Sequence, residues 1–172
     1  WSSTWNRSVA IIDASTTDVV SVSGRAYRYT KDFAGNWTTT SGTPNALASA
    51  GSTWTETDPL GQKYRYDATG KLSWMSSPTG NRWTLTRDGS GSLSRITDPL
   101  LQHTTLAYDG SSKLRRIAQP GNRLTTFAVD GSGDLSRWHR ADGSMVTFAY
   151  DGNHRIKSWK APLGQRLTFA YD

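Results

Sequence analysis

This chain of 172 residues carries a net charge of +6, contains 8 tryptophans, 7 tyrosines and 16 glycines, and has no cysteine. The lack of cysteine excludes a disulfide-stapled scaffold, thiol catalysis and thiolate metal sites. No segment approaches the roughly 20 consecutive apolar residues of a transmembrane helix, so no membrane span is predicted, and the first residues show no signal peptide.

Residues 1–46 are predicted to form an irregular N-terminal β segment. Its candidate strands cover residues 5–12, 19–23, 25–32 and 37–40. Residues 41–52 are rich in Gly, Ser and Ala without a clear period, which predicts a long loop, with a short helix at 45–50 as the weaker alternative. A further strand is expected at residues 54–58.

Residues 47–172 are dominated by a 21-residue repeat, and five full units of it fit between residues 68 and 172. An aspartate closes each unit, and four of the six aspartates in the series follow a tyrosine. Such a period indicates an array in which each unit is one supersecondary piece and its neighbours complete its core. We therefore expect one structural domain. The repeat and turn residues are Tyr66, Asp67, Asp88, Tyr108, Asp109, Asp130, Tyr150, Asp151, Tyr171 and Asp172.

The apolar columns of the repeat define two strands in each unit. The strand before the aspartate alternates large and small residues, as in residues 146–150, which is typical of a strand with one buried face. The apolar pair after the aspartate is spaced by three, as in Leu114 and Ile117, which predicts a bulge near the start of that strand. Turns rich in Asp, Gly and Pro separate the strands. The sequence therefore predicts an all-β fold, an antiparallel meander of about ten strands built from repeated β-hairpins.

The sequence pattern resembles a known repeat. Residues 58–72 show it most fully, with Asp-Pro, then Tyr-Asp, then a glycine and a leucine. This resembles the YD repeat, also called the Rhs repeat, and the resemblance covers about two thirds of the chain. The Trp-Asn-Arg-Ser opening and residues 24–32 are similar to the start of an Rhs core. Proteins of this kind include bacterial Rhs polymorphic toxins, the C components of Tc toxins and the animal teneurins.

The resemblance implies a β-sheet strip that curves around a hollow, which in the toxins encloses a toxic C-terminal segment. It implies that this chain is a non-catalytic structural module, the N-terminal part of a YD-repeat shell from a large secreted or cell-surface bacterial protein. No cofactor and no metal are expected. The partners would be the rest of the parent chain, or neighbouring copies that pair along sheet edges, and nucleic acid is a disfavoured partner.

Two alternatives come from other functional classes. Arg95, Arg116 and Arg137 occupy one column of the repeat, and equivalent residues lie two strand spacings apart, about 10 Å. With Trp74 in the same column as an exposed platform, this ladder would suit an acidic glycan or another polyanion, although an ordinary solvated surface explains it more simply. The second alternative is adhesion or self-assembly into filaments through uncapped sheet edges.

Enzymatic activity is the least expected function. The three histidines lie at different places in the repeat, and no Gly-x-Ser-x-Gly elbow is present. Turn geometry explains the periodic aspartates better than acid–base catalysis does. The two carboxylates of Asp130 and Asp134 lie on a Gly-rich turn, but a calcium loop needs more oxygen ligands at fixed spacing.

Overall fold

The computed structural model describes residues 7–21, 23–39 and 42–172. Within these ranges the chain contains seventeen β-strands and no helix, and so no helix that could cross a membrane. This confirms the predicted all-β class. The described residues divide into two compact units, and the division falls inside the regular repeats. The first unit runs up to Thr86 and includes Thr97–Leu101, and the second comprises Arg87–Ile96 and Gln102–Asp172.

The first unit is an antiparallel meander in which each strand pairs with the next. Its strands are β1 (Ser8–Ile11), β2 (Thr16–Val20), β3 (Ala26–Lys31), β4 (Trp37–Thr38), β5 (Ala46–Ala50), β6 (Thr53–Thr57), β7 (Lys63–Tyr66), β8 (Leu72–Ser76) and β9 (Arg82–Arg87).

The expected loop at 41–52 is wrong, and so is its helical alternative. Residues 46–50 form β5, and every one of them pairs with a residue of β6. Gly51, at a φ of 59°, and Ser52 form the two-residue connection of a tight hairpin. Pairing with β6 therefore overrides the weak strand propensity of an Ala-rich segment.

The other N-terminal strands lie close to their predicted positions. β2 begins earlier than expected, at Thr16, because Thr16 and Thr17 pair with Thr30 and Tyr29 of β3. The prediction also covered residues 5, 6, 22, 40 and 41, which lie outside the described residues.

Strand β1 closes the first unit on itself. The Val9 N–H donates to the Gly70 carbonyl at 2.7 Å, and Ser8 forms a bridge with Lys71. Gly70 has a φ of 77°, and a side chain there would collide with the Val9 carbonyl oxygen, so this contact requires glycine. The closure creates a core whose most deeply buried members are Thr17, Val19, Tyr29, Glu56, Tyr66 and Leu72.

The second unit continues the meander. Strand β10 neighbours β11, and every later strand pairs antiparallel with the next. The strands are β10 (Leu93–Thr97), β11 (His103–Tyr108), β12 (Leu114–Gln119), β13 (Arg123–Val129), β14 (Leu135–His139), β15 (Met145–Tyr150), β16 (Ile156–Lys160) and β17 (Arg166–Thr168).

The predicted bulges are confirmed. The register of β11 against β12 shifts between Ala107 and Tyr108, so that Tyr108 pairs with Leu114 and Leu106 pairs with Ile117. The extra residue brings Leu114 and Ile117, which are three apart in sequence, onto one face. The same shift recurs between β7 and β8, between β13 and β14 and between β15 and β16.

One face of the second unit is apolar and only partly covered. Phe127 pairs with Trp138, and Phe148 pairs with Trp159. Trp159 pairs in turn with Leu167 on the next strand. These rings are half-buried, and Leu167 is 50% exposed. Among the described residues of this unit, Val146 is the sole hydrophobic residue that is fully buried. The second unit therefore differs from the first, whose equivalent face is enclosed.

Candidate functional site

The repeat aspartates begin the turns. Asp109 Oδ1 accepts the N–H groups of Ser111 and Lys113, each at 2.9 Å. The bond from Lys113 is the main reason that the pKa of Asp109 lies below its usual value, because it favours the charged carboxylate. Asp172, the last of the series, lies after β17. The same pair of bonds, to the second and fourth following residues, is made by Asp58, Asp67, Asp88, Asp130 and Asp151.

Two of the repeat tyrosines fasten one strand to its neighbour. The Tyr108 hydroxyl donates to the Leu93 carbonyl at 2.9 Å, and the Tyr171 hydroxyl donates to the Ile156 carbonyl at 2.8 Å. Burial raises the pKa of Tyr108 and of Tyr150. At Tyr108-Asp109 and Tyr171-Asp172 the tyrosine therefore bonds to the neighbouring strand directly before the aspartate of the repeat.

A buried polar cluster occupies the core of the first unit, and sequence reasoning missed it. Glu56 is 1% exposed. Its Oε2 accepts from Arg7 Nη2 at 2.5 Å and from the Tyr66 hydroxyl at 2.7 Å, and its Oε1 accepts from Asn45 Nδ2 at 2.6 Å. The Arg7 guanidinium also lies over the Tyr64 ring, 4.1 Å from its centroid.

Electrostatics favours the charged form of Arg7 in this cluster. Burial alone would lower the pKa of Arg7, but Tyr66 and Glu56 outweigh it and raise that pKa. Burial raises the pKa of the Tyr66 hydroxyl well above its usual value, and the Glu56 charge adds to the effect. Tyr66 therefore stays protonated and donates. Glu56 is the sole glutamate of the sequence, and it shares a strand face with the buried Trp54. A lone glutamate that alternates with a tryptophan in a strand is the sequence signal that could have identified this cluster.

The three arginines of the repeat column are exposed on the second unit. Arg116 lies between Ala107 and Thr126 on the neighbouring strands. Arg137 lies in the same way between Ala128 and Thr147. Within the described part of the chain, none of the three forms an ion pair. The strand partners of Arg116 and Arg137 are therefore all small residues.

The column continues with a different residue. Ser158 takes the next equivalent position, between Ala149 and Thr168. Arg166, on the adjacent strand, donates from Nη2 to Ser158 Oγ at 3.3 Å. A guanidinium from a different repeat position therefore lies beside the serine of this column. Thr147, Ser158, Lys160 and Arg166 line a shallow pocket of about 260 Å³ at this place. Sequence periodicity alone missed Arg166 because it belongs to another column.

Trp74 holds the same repeat position in the first unit, between Arg65 and Thr84. Its ring is half-buried, and the Arg82 guanidinium lies 4.7 Å from the ring centroid. The predicted exposed platform is thus covered on one side by a cation.

The carboxylates of the second unit lie apart from its strands. This unit contains twelve arginines and lysines against seven aspartates. Every one of those aspartates lies outside β10 to β17, whose sequences contain neither Asp nor Glu. Asp134 is paired with His154, with 2.8 Å between Oδ2 and Nδ1. The strands therefore carry the positive charge, and the turns carry the negative charge.

Comparisons with known proteins found similarity in structure only. No protein-family model and no curated protein matches the chain. A TcdB2–TccC3–Cdc42 structure matches 87% of this chain at 15% identity with a TM-score of 0.50. A Photorhabdus luminescens Tc holotoxin pore with an altered TccC3 matches 87% at 15% identity with a TM-score of 0.51. The chain covers 9% of each of these chains, and at this identity the similarity shows the fold alone.

Proposed function

We propose that this chain is a non-catalytic wall segment of a YD-repeat shell, from a large secreted or cell-surface bacterial protein of the toxin-enclosing type. The single observation that carries the proposal is the half-exposed apolar face of the second unit. Similarity in fold to structures that contain TccC3 supports the same assignment.

An apolar face of this kind needs a partner. Phe127, Trp138, Phe148 and Trp159 form rows across four strands, and each is only partly buried. Contiguous exposed apolar surface usually marks an interaction site. An unfolded polypeptide exposes apolar side chains, and contact with this face would remove both surfaces from water. A chamber lined by such a face would hold a non-native chain without any chemical step.

The first unit would stiffen the wall. Its closure through Val9 and Gly70 and its buried Arg7–Glu56 pair hold nine strands around a core. The second unit would supply the lining surface. This division of roles requires no catalytic residue, cofactor or metal.

The proposal is tested by photocrosslinking to a permanently unfolded polypeptide, such as reduced and alkylated lactalbumin. Photoreactive benzoylphenylalanine is placed at Phe148, on the apolar face, or at Thr147, the adjacent residue on the opposite face. We expect crosslinks from position 148 and few from position 147, because the apolar face binds the probe. A phenylalanine derivative at position 148 preserves the aromatic character of the site.

Two outcomes would contradict the proposal. Equal crosslinking from both positions would indicate nonspecific contact, and a complete lack of probe binding would remove the role of the apolar face. Sedimentation of the same samples reports on association through sheet edges, which stays a separate prediction. If the chain forms polymers and position 148 then no longer crosslinks to the probe, the result would favour self-assembly over the proposed role as a shell wall.

A further inference from the structure

We propose that the face of the second unit opposite the apolar rows binds a linear acidic polysaccharide. The contacts are Arg95, Arg116 and Arg137, with Arg166 at the end of the line. This surface is independent of the proposed wall function, because Thr147 and Phe148 point to opposite sides of β15. We call it the cationic face.

The spacing of the arginines suits an extended polymer. Arg116 lies on β12 and Arg137 on β14, with one strand between them. Arg116 pairs with Thr126, which pairs with His139, so Arg137 is also displaced by two residues along β14. Two strand spacings and this displacement separate the two arginines by roughly 12 Å, and Arg95 on β10 extends the series in the other direction. A chain laid obliquely across the strands would therefore meet a guanidinium at regular intervals. A polysaccharide with a sulfate or carboxylate on each repeating unit presents charges in the same regular way.

The guanidinium groups are available for binding. All three arginines are exposed. Arg116 and Arg137 pair with Ala or Thr on both neighbouring strands, so their direct strand partners are small. A guanidinium offers a fork of donors that matches a carboxylate or a sulfate ester bidentately. Binding at Arg116 or Arg137 would break no ion pair among the described residues.

The charge distribution favours a polyanion over a single small anion. Because β10 to β17 carry no carboxylate, every acidic or basic side chain that these strands place on the cationic face is basic, and like charges in one row favour a polyanion. Lys160 lies between Thr147 and Arg166 in the ladder and adds a further charge. Once one charged group of the polymer is bound, the next group is held close to the next cation, so several weak contacts together give tighter binding than one contact alone.

The end of the line has the features of a site for one charged group. Arg166 and Lys160 supply cations, and Thr147 and Ser158 supply hydroxyl groups, around a pocket of about 260 Å³. Ser158 is only 5% exposed and already accepts from Arg166, which orients the guanidinium toward the pocket.

A polysaccharide fits this face better than a nucleic acid does. Single-stranded nucleic acids depend on aromatic side chains on which bases stack. In the second unit Trp138, Trp159 and their aromatic neighbours lie on the apolar face, and the paired rows around Arg116 and Arg137 contain Ala, Thr, His and Met. Charge contacts without stacking platforms favour a sugar polymer.

The test measures binding of the whole chain to fluorescein-labelled heparin and hyaluronate fragments by fluorescence anisotropy, at about 0.15 M salt. The variant Arg116→Gln with Arg137→Gln removes two charges from the cationic face. The control Arg123→Gln with Arg140→Gln removes two charges from outside the cationic face. Arg123 pairs with Gln119, two residues from Ile117 and on the side of the strand opposite Arg116, and Arg140 stacks on Trp138, 4.4 Å from its ring centroid. We expect the first pair to weaken heparin binding at least about tenfold and the control to change it about twofold or less.

The two fragments distinguish the kinds of acidic group. Heparin binding alone would assign the face to sulfate esters, and binding of both would assign it to acidic sugars in general; either supports the proposal. Equal weakening by both variants would overturn it, because net charge alone would then explain the affinity. Tighter binding of oligothymidylate than of heparin would also overturn it and assign the face to nucleic acid. Thermal unfolding of each variant by circular dichroism verifies the fold.

Discussion

At the residue scale, Glu56 shows how one charged side chain can organise a core. Removing a carboxylate from water is costly unless donors replace the water. Here Arg7, Tyr66 and Asn45 supply three donors, and Arg7 lies 49 positions from Glu56 in sequence. The cluster therefore joins the start of the described chain to β6 and β7.

The substitution Glu56→Gln keeps the shape of the side chain but removes its charge. We expect it to lower the free energy of unfolding by about 3–5 kcal/mol, because Arg7 is left buried without a counter-charge. Urea unfolding followed by tryptophan fluorescence measures the change.

The matched control is Asp18→Asn. Its partner Arg28 is 58% exposed, so loss of this ion pair should change the free energy of unfolding far less than Glu56→Gln does. If both substitutions have the same small effect, the buried pair does not stabilise the fold in the manner described.

At the scale of the structural element, the turns show where sequence and conformation disagree. The four-residue turns 58–61, 77–80, 98–101 and 161–164 all have proline at their second position. The fourth residue of these turns has positive φ, and Gly61, Gly80 and Gly164 take it at 85°, 89° and 92°. Leu101 occupies the equivalent position at 62° and is 77% exposed. A leucine is strained in this conformation, and here it gains little burial in return.

We therefore expect Leu101→Gly to stabilise the chain by about 1 kcal/mol or less. The left-handed conformation costs an L-residue about 1–2 kcal/mol, and part of this gain is lost to the greater freedom of glycine in the unfolded chain. Thermal and urea unfolding both measure the effect.

Asn122→Gly provides the comparison. Asn122 has a φ of 58°, and asparagine tolerates this region, so the expected change is smaller than for Leu101. A loss of stability in Leu101→Gly would show that its side chain makes a stabilising contact that outweighs the backbone strain.

At the scale of the whole molecule, the turn aspartates make stability depend on pH. Hydrogen bonds from Ser90 lower the pKa of Asp88, and the N–H groups of Lys113 and Arg155 lower the pKa of Asp109 and Asp151. Unfolding returns each pKa to its usual value near 4. The unfolded chain therefore binds more protons in this range, and stability falls as the pH falls.

We expect the urea midpoint to change little as the pH falls from about 7 to 5, and then to decrease steadily below about pH 4. Exposed turns in both units contribute, since the pKa of Asp32 is also lowered by bonds from Asn36. A midpoint that stays constant or rises below pH 4 would show that the turn bonds do not favour the charged carboxylates.

The repeat itself was predictable because its information is local. Alternation in residues 146–150 shows which side chains share a face, and the three-residue spacing of Leu114 and Ile117 encodes the bulge. The arginine column follows from the same period. Arg166 was not predictable in this way, because its approach to Ser158 depends on the register between β16 and β17.

The sequence by itself determined the hairpins, the turns and the two faces of each strand, since these depend on neighbouring residues. Only the tertiary structure decided which apolar face is enclosed. In the first unit the bonds of Val9 to Gly70 and of Arg7 to Glu56 join residues about 50 to 60 positions apart. No local pattern encodes such contacts, so the same alternation yields a closed core in the first unit and a half-exposed apolar surface in the second.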